Sequence, residues 1–414
     1  MLRIAVLPLD NDDEDDIVSN NRIRRGLEIV NMFQNFSTLL GPSLLKQIYM
    51  YQLVDDLDLT GLSERIVDRV EYADNRGIDY EFALQHIEYL NGGKFNNTSD
   101  MTLEEADFCA FSLIWFLRQA QLNFDFRHRD IKVENIILRA DIVSEPKAYA
   151  FYKNDVADPF CFVSRYVPVV IDYDFSTVLV SQRDEDRQVV GTRYTACPDS
   201  LIHFLLMEME SPPPPPTVQS YDWWSLGIVL FEAYMTTYLT PLQRINFALN
   251  DMCFSLCFKY AKRKFRDLKK GKFQLKPGET DAVEILRSIC FGSMIASIVH
   301  ETDDLGPPED PVASDNYPHK DFFFFDDFDE AIAIKQSRDY IMLTRSFALF
   351  PKHVKKMLKR LLSWFPEERR WPVESYFEKL YVREPTTGEI NTYSDDFNDA
   401  CVFTNSMKQN KILF

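Results

Sequence analysis

The stretch Tyr221 to Met235, YDWWSLGIVLFEAYM, is apolar on nearly every side. A helix at a protein surface keeps one polar face, so a helix without one has to be enclosed by other elements. The fold must therefore be thick enough to wrap this segment. At 414 residues the chain can supply one large domain or two ordinary ones. Its hydrophobic share of 46% and charged share of 27% are those of a globular chain, not a disordered one.

The formal net charge of −18 argues against a general binder of nucleic acid or anionic membrane, though it leaves room for a local basic patch. Seven cysteines stand at 109, 161, 197, 253, 257, 290 and 401, with no CxxC pair. An odd, scattered set predicts a reducing compartment and no disulfide framework. Cys253 and Cys257 share a helical face and read as core residues. The opening MLRIAVLPLDNDDEDD is wrong for a secretory signal. No uninterrupted apolar run approaches the ~20 residues that span a bilayer. The expectation is a soluble intracellular protein, cytoplasmic or nuclear, with no membrane contact.

Along the chain, Leu2 to Leu9 predicts a strand, followed by an acidic loop from Asp10 to Asp16. Ile23 to Phe36 has helical spacing, and Glu81 to Leu90 predicts a strand ending at the turn Asn91-Gly92-Gly93. Thr102-Leu103-Glu104-Glu105 is a helix start, and the helix runs to Ala120. Residues 140–168 predict a loop or insertion ahead of a short strand ending at Ile171. Prolines 212 to 216 predict a stiff linker. Lys259 to Lys276 is a basic stretch, read as a solvated helix face. Lys352 to Trp364 is amphipathic, and the tail beyond Glu384 is polar without strong periodicity. The plan is a few strands first, then a mostly helical remainder.

Residues 126–138 read FRHRDIKVENIIL. Phosphoryl transfer needs positioning and charge neutralisation more than covalent chemistry. An acid must orient the attacking hydroxyl, a cation must steady the moving phosphate, and hard oxygens must hold Mg²⁺. Asp130, Lys132 and Asn135 supply those three types within one loop. A second metal ligand should sit at a neighbouring strand end, and VVIDYDFS offers Asp172, with Asp174 as the other candidate. A charged turn ahead of a strand is the plain alternative.

HRDIKVEN resembles the catalytic loop of eukaryotic-type protein kinases, whose pattern is HRDxxxxN. Lys132 matches the serine/threonine-directed version. Asp172-Tyr173-Asp174 resembles the family's metal-binding Asp-Phe-Gly segment, and an Asp-Tyr start without glycine resembles the haspin-like kinases. GTRYTACPD, residues 191–199, resembles the end of the activation segment, and YDWWSLGIVLFE the central helix. FPEERRWP resembles the late segment in which Arg369 would pair with Asp199. IEYLNGG resembles the hinge, with Ile87 as gatekeeper and Glu88 to Leu90 offering backbone groups to adenine. Thr192, Thr195 and Ser181 become phosphosite candidates, with Arg129 as a clamp for a phosphorylated segment. The resemblance covers roughly residues 80–380.

The resemblance implies an α+β, two-lobed kinase-like fold with a truncated, β-rich small lobe and a large, mainly helical lobe. Residues 1–90 would form the partial small lobe and 91–384 the large lobe, with insertions at 140–168 and about 300–330. Residues 385–414 would be a tail. The implied activity is transfer of the ATP γ-phosphate, with Mg²⁺, to serine or threonine of a protein substrate. Asp130 would be the base, Lys132 the phosphate contact, and Asn135 and Asp172 the metal ligands. Two parts of the family pattern are missing. There is no Gly-rich loop, and the strand lysine position falls on Ala5, so Glu28, the matching helix acid, lacks its partner. The chain would be N-terminally shortened, or would anchor ATP through another cation such as Arg3. The alternative is a pseudokinase acting as a binding scaffold. Divergence and insertions also resemble kinases of large DNA viruses, which would place the protein in a host cell.

Overall fold

Strand β1 (Leu2–Pro8) alternates around Ile4 and Val6, which points one face of the strand into a core. The computed structural model describes residues 2–8, 14–46, 52–54, 64–76, 79–95, 101–140, 145–153, 158–178, 191–205, 219–239, 249–270, 278–301, 329–365, 375–383 and 390–394, with positions 58, 60, 368 and 369. The prolines 212–216 and Ser181 lie outside the described residues.

After β1 come α1 (Glu14–Gln34), α2 (Ser37–Leu40), β2 (Gln52–Val54), α3 (Glu64–Arg76) and β3 (Tyr80–His86). The three strands form one antiparallel sheet in the order β1-β3-β2, with Ala5 opposite Ala83 and Leu7 opposite Glu81. Val6 and Phe82 bury one face against Val70 of α3. Acids 14–16, expected in the loop, belong instead to α1, which begins nine residues before Ile23.

α4 (Leu103–Phe124) begins at the expected signal. The Thr102 side chain accepts from Glu105 N–H while the Glu105 carboxylate accepts from Thr102 N–H. β4 (Ile136–Ala140), β5 (Lys147–Tyr152), β6 (Phe160–Ser164) and β7 (Tyr166–Val170) follow. The stretch 140–168, read as a loop or insertion, thus holds most of three strands. β4 pairs with β7, and β5 with β6. The polar tail also contributes β8 (Ile390–Ser394), parallel to β5. Aromatic residues explain both corrections. Phe151 and Phe162 pack on Phe111 of α4, and Tyr393 stacks on Phe151 at 5.3 Å, burying strands whose alternation is hidden in the sequence.

α5 (Pro198–Leu205) precedes α6 (Gln219–Tyr238), which is enclosed from Asp222 to Thr236, as its composition demands. Gly227 makes this possible on one side: a Cβ there would lie 2.8 Å from Leu362 Cδ2. Of the later described helices, Leu249–Lys270, Glu279–His300, Asp329–Lys335, Arg338–Ala348, Lys352–Leu361 and Ser375–Tyr381, the two spanning Arg338–Ala348 and Lys352–Leu361 pack against it, and Trp224 meets Gly292 of Glu279–His300. Among the described residues Glu279–His300 alone has the length and hydropathy of a membrane span, and 89% of that window is buried inside the fold. In Leu249–Lys270 the lysines 259, 262, 269 and 270 face outward while Tyr260, Ala261, Phe265 and Leu268 are buried. Buried Asp107 on α4 accepts from Tyr234 and Tyr381 hydroxyls, each at 2.6 Å, and meets His353 Nε2 at 2.8 Å, tying four helices together.

The buried pair Arg369–Asp199, 2.6 Å apart, joins the chain's late segment to the start of α5. Arg369 also donates to the carbonyls of Ser363 and Trp364 and lies 4.7 Å over the Trp224 ring. Removing one member of a buried pair leaves the other charge uncompensated. Arg369→Met is therefore expected to lower the unfolding free energy by about 3–5 kcal/mol, read by urea denaturation. A loss below 1 kcal/mol would show the pair to be dispensable.

Candidate active site

Asp222, near the start of α6, is buried, and burial pushes its carboxyl up while the backbone N–H donors of His128 and Arg129 pull it back down. Its oxygens accept from His128 N–H at 2.7 Å and Arg129 N–H at 2.9 Å. Arg129 has φ 68°, a left-handed backbone that a branched, bulky residue adopts only when its surroundings compel it. The Asp222 carboxylate is one such constraint. The other is a reciprocal backbone pair between Arg127 and Thr177, both bonds 2.9 Å.

The neighbouring His128 is fully buried, and burial lowers its pKa. Its Nε2 donates to the Ile171 carbonyl at 3.1 Å, and its Nδ1 accepts from Asp130 N–H at 3.4 Å. Those two partners define a neutral imidazole that ties the 128–135 loop to the end of β7. In this geometry His128 ties the loop to the strand end.

Asp130 is buried, and both oxygens of its carboxylate are engaged. Oδ1 accepts from Thr192 N–H at 2.7 Å; Oδ2 accepts from Asn135 Nδ2 at 3.0 Å and faces Lys132 Nζ at 2.8 Å. Lys132 Nζ also donates to Thr192 Oγ1 at 2.9 Å. Asn135 Nδ2 has a second acceptor in the Asp130 carbonyl, which leaves the amide oxygen as the atom able to meet a cation. Acid, ammonium and amide thus converge, as the spacing suggested.

Asn135 immediately precedes β4, and Asp172 lies two residues past β7. The pairing Ile136↔Val170 sets those strand ends side by side, and Ile171 N–H donates to Asn135 O at 2.9 Å. Two oxygen-bearing side chains therefore leave adjacent strand ends, a donor set suited to Mg²⁺. Asp172 has φ 63°, the second left-handed non-glycine residue of this region. Tyr173, next to it, is buried among the rings of Phe33, Phe126 and His128. Asp174 is half-buried in the turn that follows.

The upstream candidates are less uniform. Ile87 is buried against Leu45 and Val169, with Leu90 and Ile171 packed around them, giving an apolar wall beside the Asp172 segment. Glu88 is differently employed from what the sequence suggested. Its N–H donates to Lys46 O at 3.0 Å, and its carboxylate accepts from Lys46 N–H and from Arg139 Nε and Nη2. Only its carbonyl remains to offer a ligand. Glu28 is half-buried, and burial raises its pKa against the pull of Arg24 and Arg25. Among the described residues no cation closes an ion pair with it. Arg24 bonds instead to Glu81 on β3. The Arg3 and Ala5 side chains lie outside what is described; their backbones pair with Gln85 and Ala83.

Thr192 and Thr195, phosphosite candidates by sequence, sit inside the site. Thr195 is buried, its hydroxyl donates to Thr192 O, and its carbonyl accepts from Ser225. Sequence reasoning missed Gly191. At φ 87°, a Cβ there would lie 2.3 Å from Arg129 O and 2.8 Å from Asp130 Oδ1, so only glycine lets residues 191–192 close on the aspartate. A glycine directly ahead of Thr192 was the available signal.

No protein-family model matches the chain, and no curated protein does. Among solved structures, a crystallised Plasmodium kinase domain is similar at 15% sequence identity and a TM-score of 0.43, over 91% of this chain and 86% of that one.

The Tyr173 hydroxyl is buried and has no hydrogen-bond partner among the described residues. Tyr173→Phe keeps the ring contacts and removes an orphan donor, so it is expected to raise the unfolding free energy by about 1 kcal/mol, seen as a higher melting temperature. A lower melting temperature would show that the hydroxyl has a polar partner.

Proposed function

We propose that this chain is an ATP-dependent serine/threonine protein kinase with a two-lobed, kinase-like fold. The observation that carries the reading is the convergence of Lys132 and Asn135 on the buried Asp130 carboxylate, next to strand ends that present Asn135 and Asp172 together. In this reading residues 1–90 form the small lobe and 91–384 the large one, with 385–414 as a tail that returns a strand to the body.

Asp130 is the catalytic base. It takes the proton of the substrate hydroxyl as that oxygen bonds to the γ-phosphorus and the bond to the β-phosphate oxygen breaks, releasing ADP. Lys132, already beside Asp130 and Thr192, is placed to neutralise the moving phosphoryl group. Asn135 and Asp172 would hold Mg²⁺, which neutralises phosphate charge and orients the nucleotide. Ile87 and Leu90 would line the adenine site with the Glu88 carbonyl as an acceptor, and Glu28 would lie on its helix side. The second substrate is a protein segment seated along 191–199.

One observation favours the alternative, a pseudokinase that binds partners without transfer. The strand position for the phosphate-gripping lysine is Ala5, and Glu28 has no ion pair among the described residues. Transfer from labelled Mg-ATP to the protein itself and to generic protein substrates separates the two. The kinase reading predicts incorporation on serine or threonine that Asp130→Asn and Asp172→Asn each lower by at least about 10²-fold. Wild-type protein that is folded but transfers no more than either variant would leave the scaffold reading.

A further inference from the structure

α1 touches both the small sheet and the segment that carries Asp172. On the segment side, a Cβ at Gly26 would lie 2.8 Å from the carbonyl carbon and oxygen of Tyr173 and 3.0 Å from Asp174 N. Helix backbone thus rests on segment backbone, an approach that a side chain would block. Arg22, one turn earlier, holds its guanidinium 5.3 Å over the Phe175 ring, and Phe33 packs edge-on against Tyr173.

On the sheet side, Arg24 donates to Glu81 Oε1. Glu81 lies in β3, and Ile87, one residue past the end of that strand, meets Val169 of β7. The ion pair therefore joins α1 to β3, the strand whose chain runs on into Ile87. Arg24 has a second carboxylate on its own helix, Glu28 at i+4, yet it bonds to the one on the sheet. Glu81 is largely buried and Arg24 partly exposed, so the pair is sheltered at its acidic end.

We infer that the Arg24–Glu81 ion pair is a positioning device for Asp172: by fixing α1 to the sheet it keeps Gly26 seated on the Tyr173–Asp174 backbone. Its consequence for transfer rests on the proposed kinase reading, because a displaced Asp172 matters to chemistry only if it holds the metal. The mechanical coupling does not depend on that reading.

Hydrogen exchange of backbone amides 171–176 in the full chain tests the coupling directly, since Ile171 N–H is bonded to Asn135 O and Ser176 N–H to Tyr173 O. Arg24→Ala and Glu81→Ala are each expected to speed exchange there about two- to fivefold, the reach of a partly exposed ion pair. Exchange in α6 should stay unchanged. The double variant should be no faster than either single one, because both remove the same contact. Gly26→Ala should give the same local increase without touching the charges; if it fails to fold, the charge variants decide. Unchanged exchange at 171–176, additive effects, or an increase that spreads equally into α6 would each overturn the proposal. In a transferring wild-type protein, kcat should fall in the same variants while KM for the protein substrate holds. A wild-type protein without transfer would remove the kinase reading and leave the exchange data to judge the coupling alone.

Discussion

One carboxylate, Asp222, determines where the candidate site can form. It is buried at the start of a helix that is itself enclosed, and it accepts from two consecutive backbone N–H groups. A charge at that depth is tolerable only with such partners. In return it holds Arg129 in a left-handed conformation that the chain would otherwise avoid. That turn aims Asp130 at Lys132, Asn135 and the backbone of Thr192.

The site is assembled from separate parts of the chain, each fixed by a different kind of contact. The β4–β7 pairing brings Asn135 and Asp172 to neighbouring ends. The neutral His128 bridges the same two segments through its ring nitrogens. Gly191 allows a third segment to close on Asp130, and the Arg369–Asp199 pair anchors the end of that segment to the core. Asp130 is held by three polar partners, while the Asp172 segment is held by the rings around Tyr173 and by α1, whose ion pair to the sheet is partly exposed.

The loop 128–135, α4 with its cap and the enclosed α6 were legible in the sequence, because each depends on local spacing or on composition along one element. So was the Arg369–Asp199 pair, through the resemblance of the late segment. Strands β5, β6 and β8 were not legible. They are buried by aromatic packing between residues far apart in the chain, from Phe111 with Phe151 and Phe162 to Phe151 with Tyr393, 242 positions away. The true employment of Glu88 was hidden for a similar reason: Arg139, 51 positions away, claims its carboxylate. Gly26 and Gly191 show the same limit, since a glycine's necessity appears only when the opposing backbone is in place.

In the proposed kinase, Asn135 and Asp172 would form one divalent-cation site that works with a nucleotide. Titration of Mn²⁺, monitored by its paramagnetic resonance signal with and without ATP, tests this most directly. ATP is expected to strengthen Mn²⁺ binding in the wild-type chain, and Asp172→Asn and Asn135→Ala are each expected to abolish the gain. Folded wild-type protein that binds Mn²⁺ no better with ATP, or variants that keep the full gain, would contradict it.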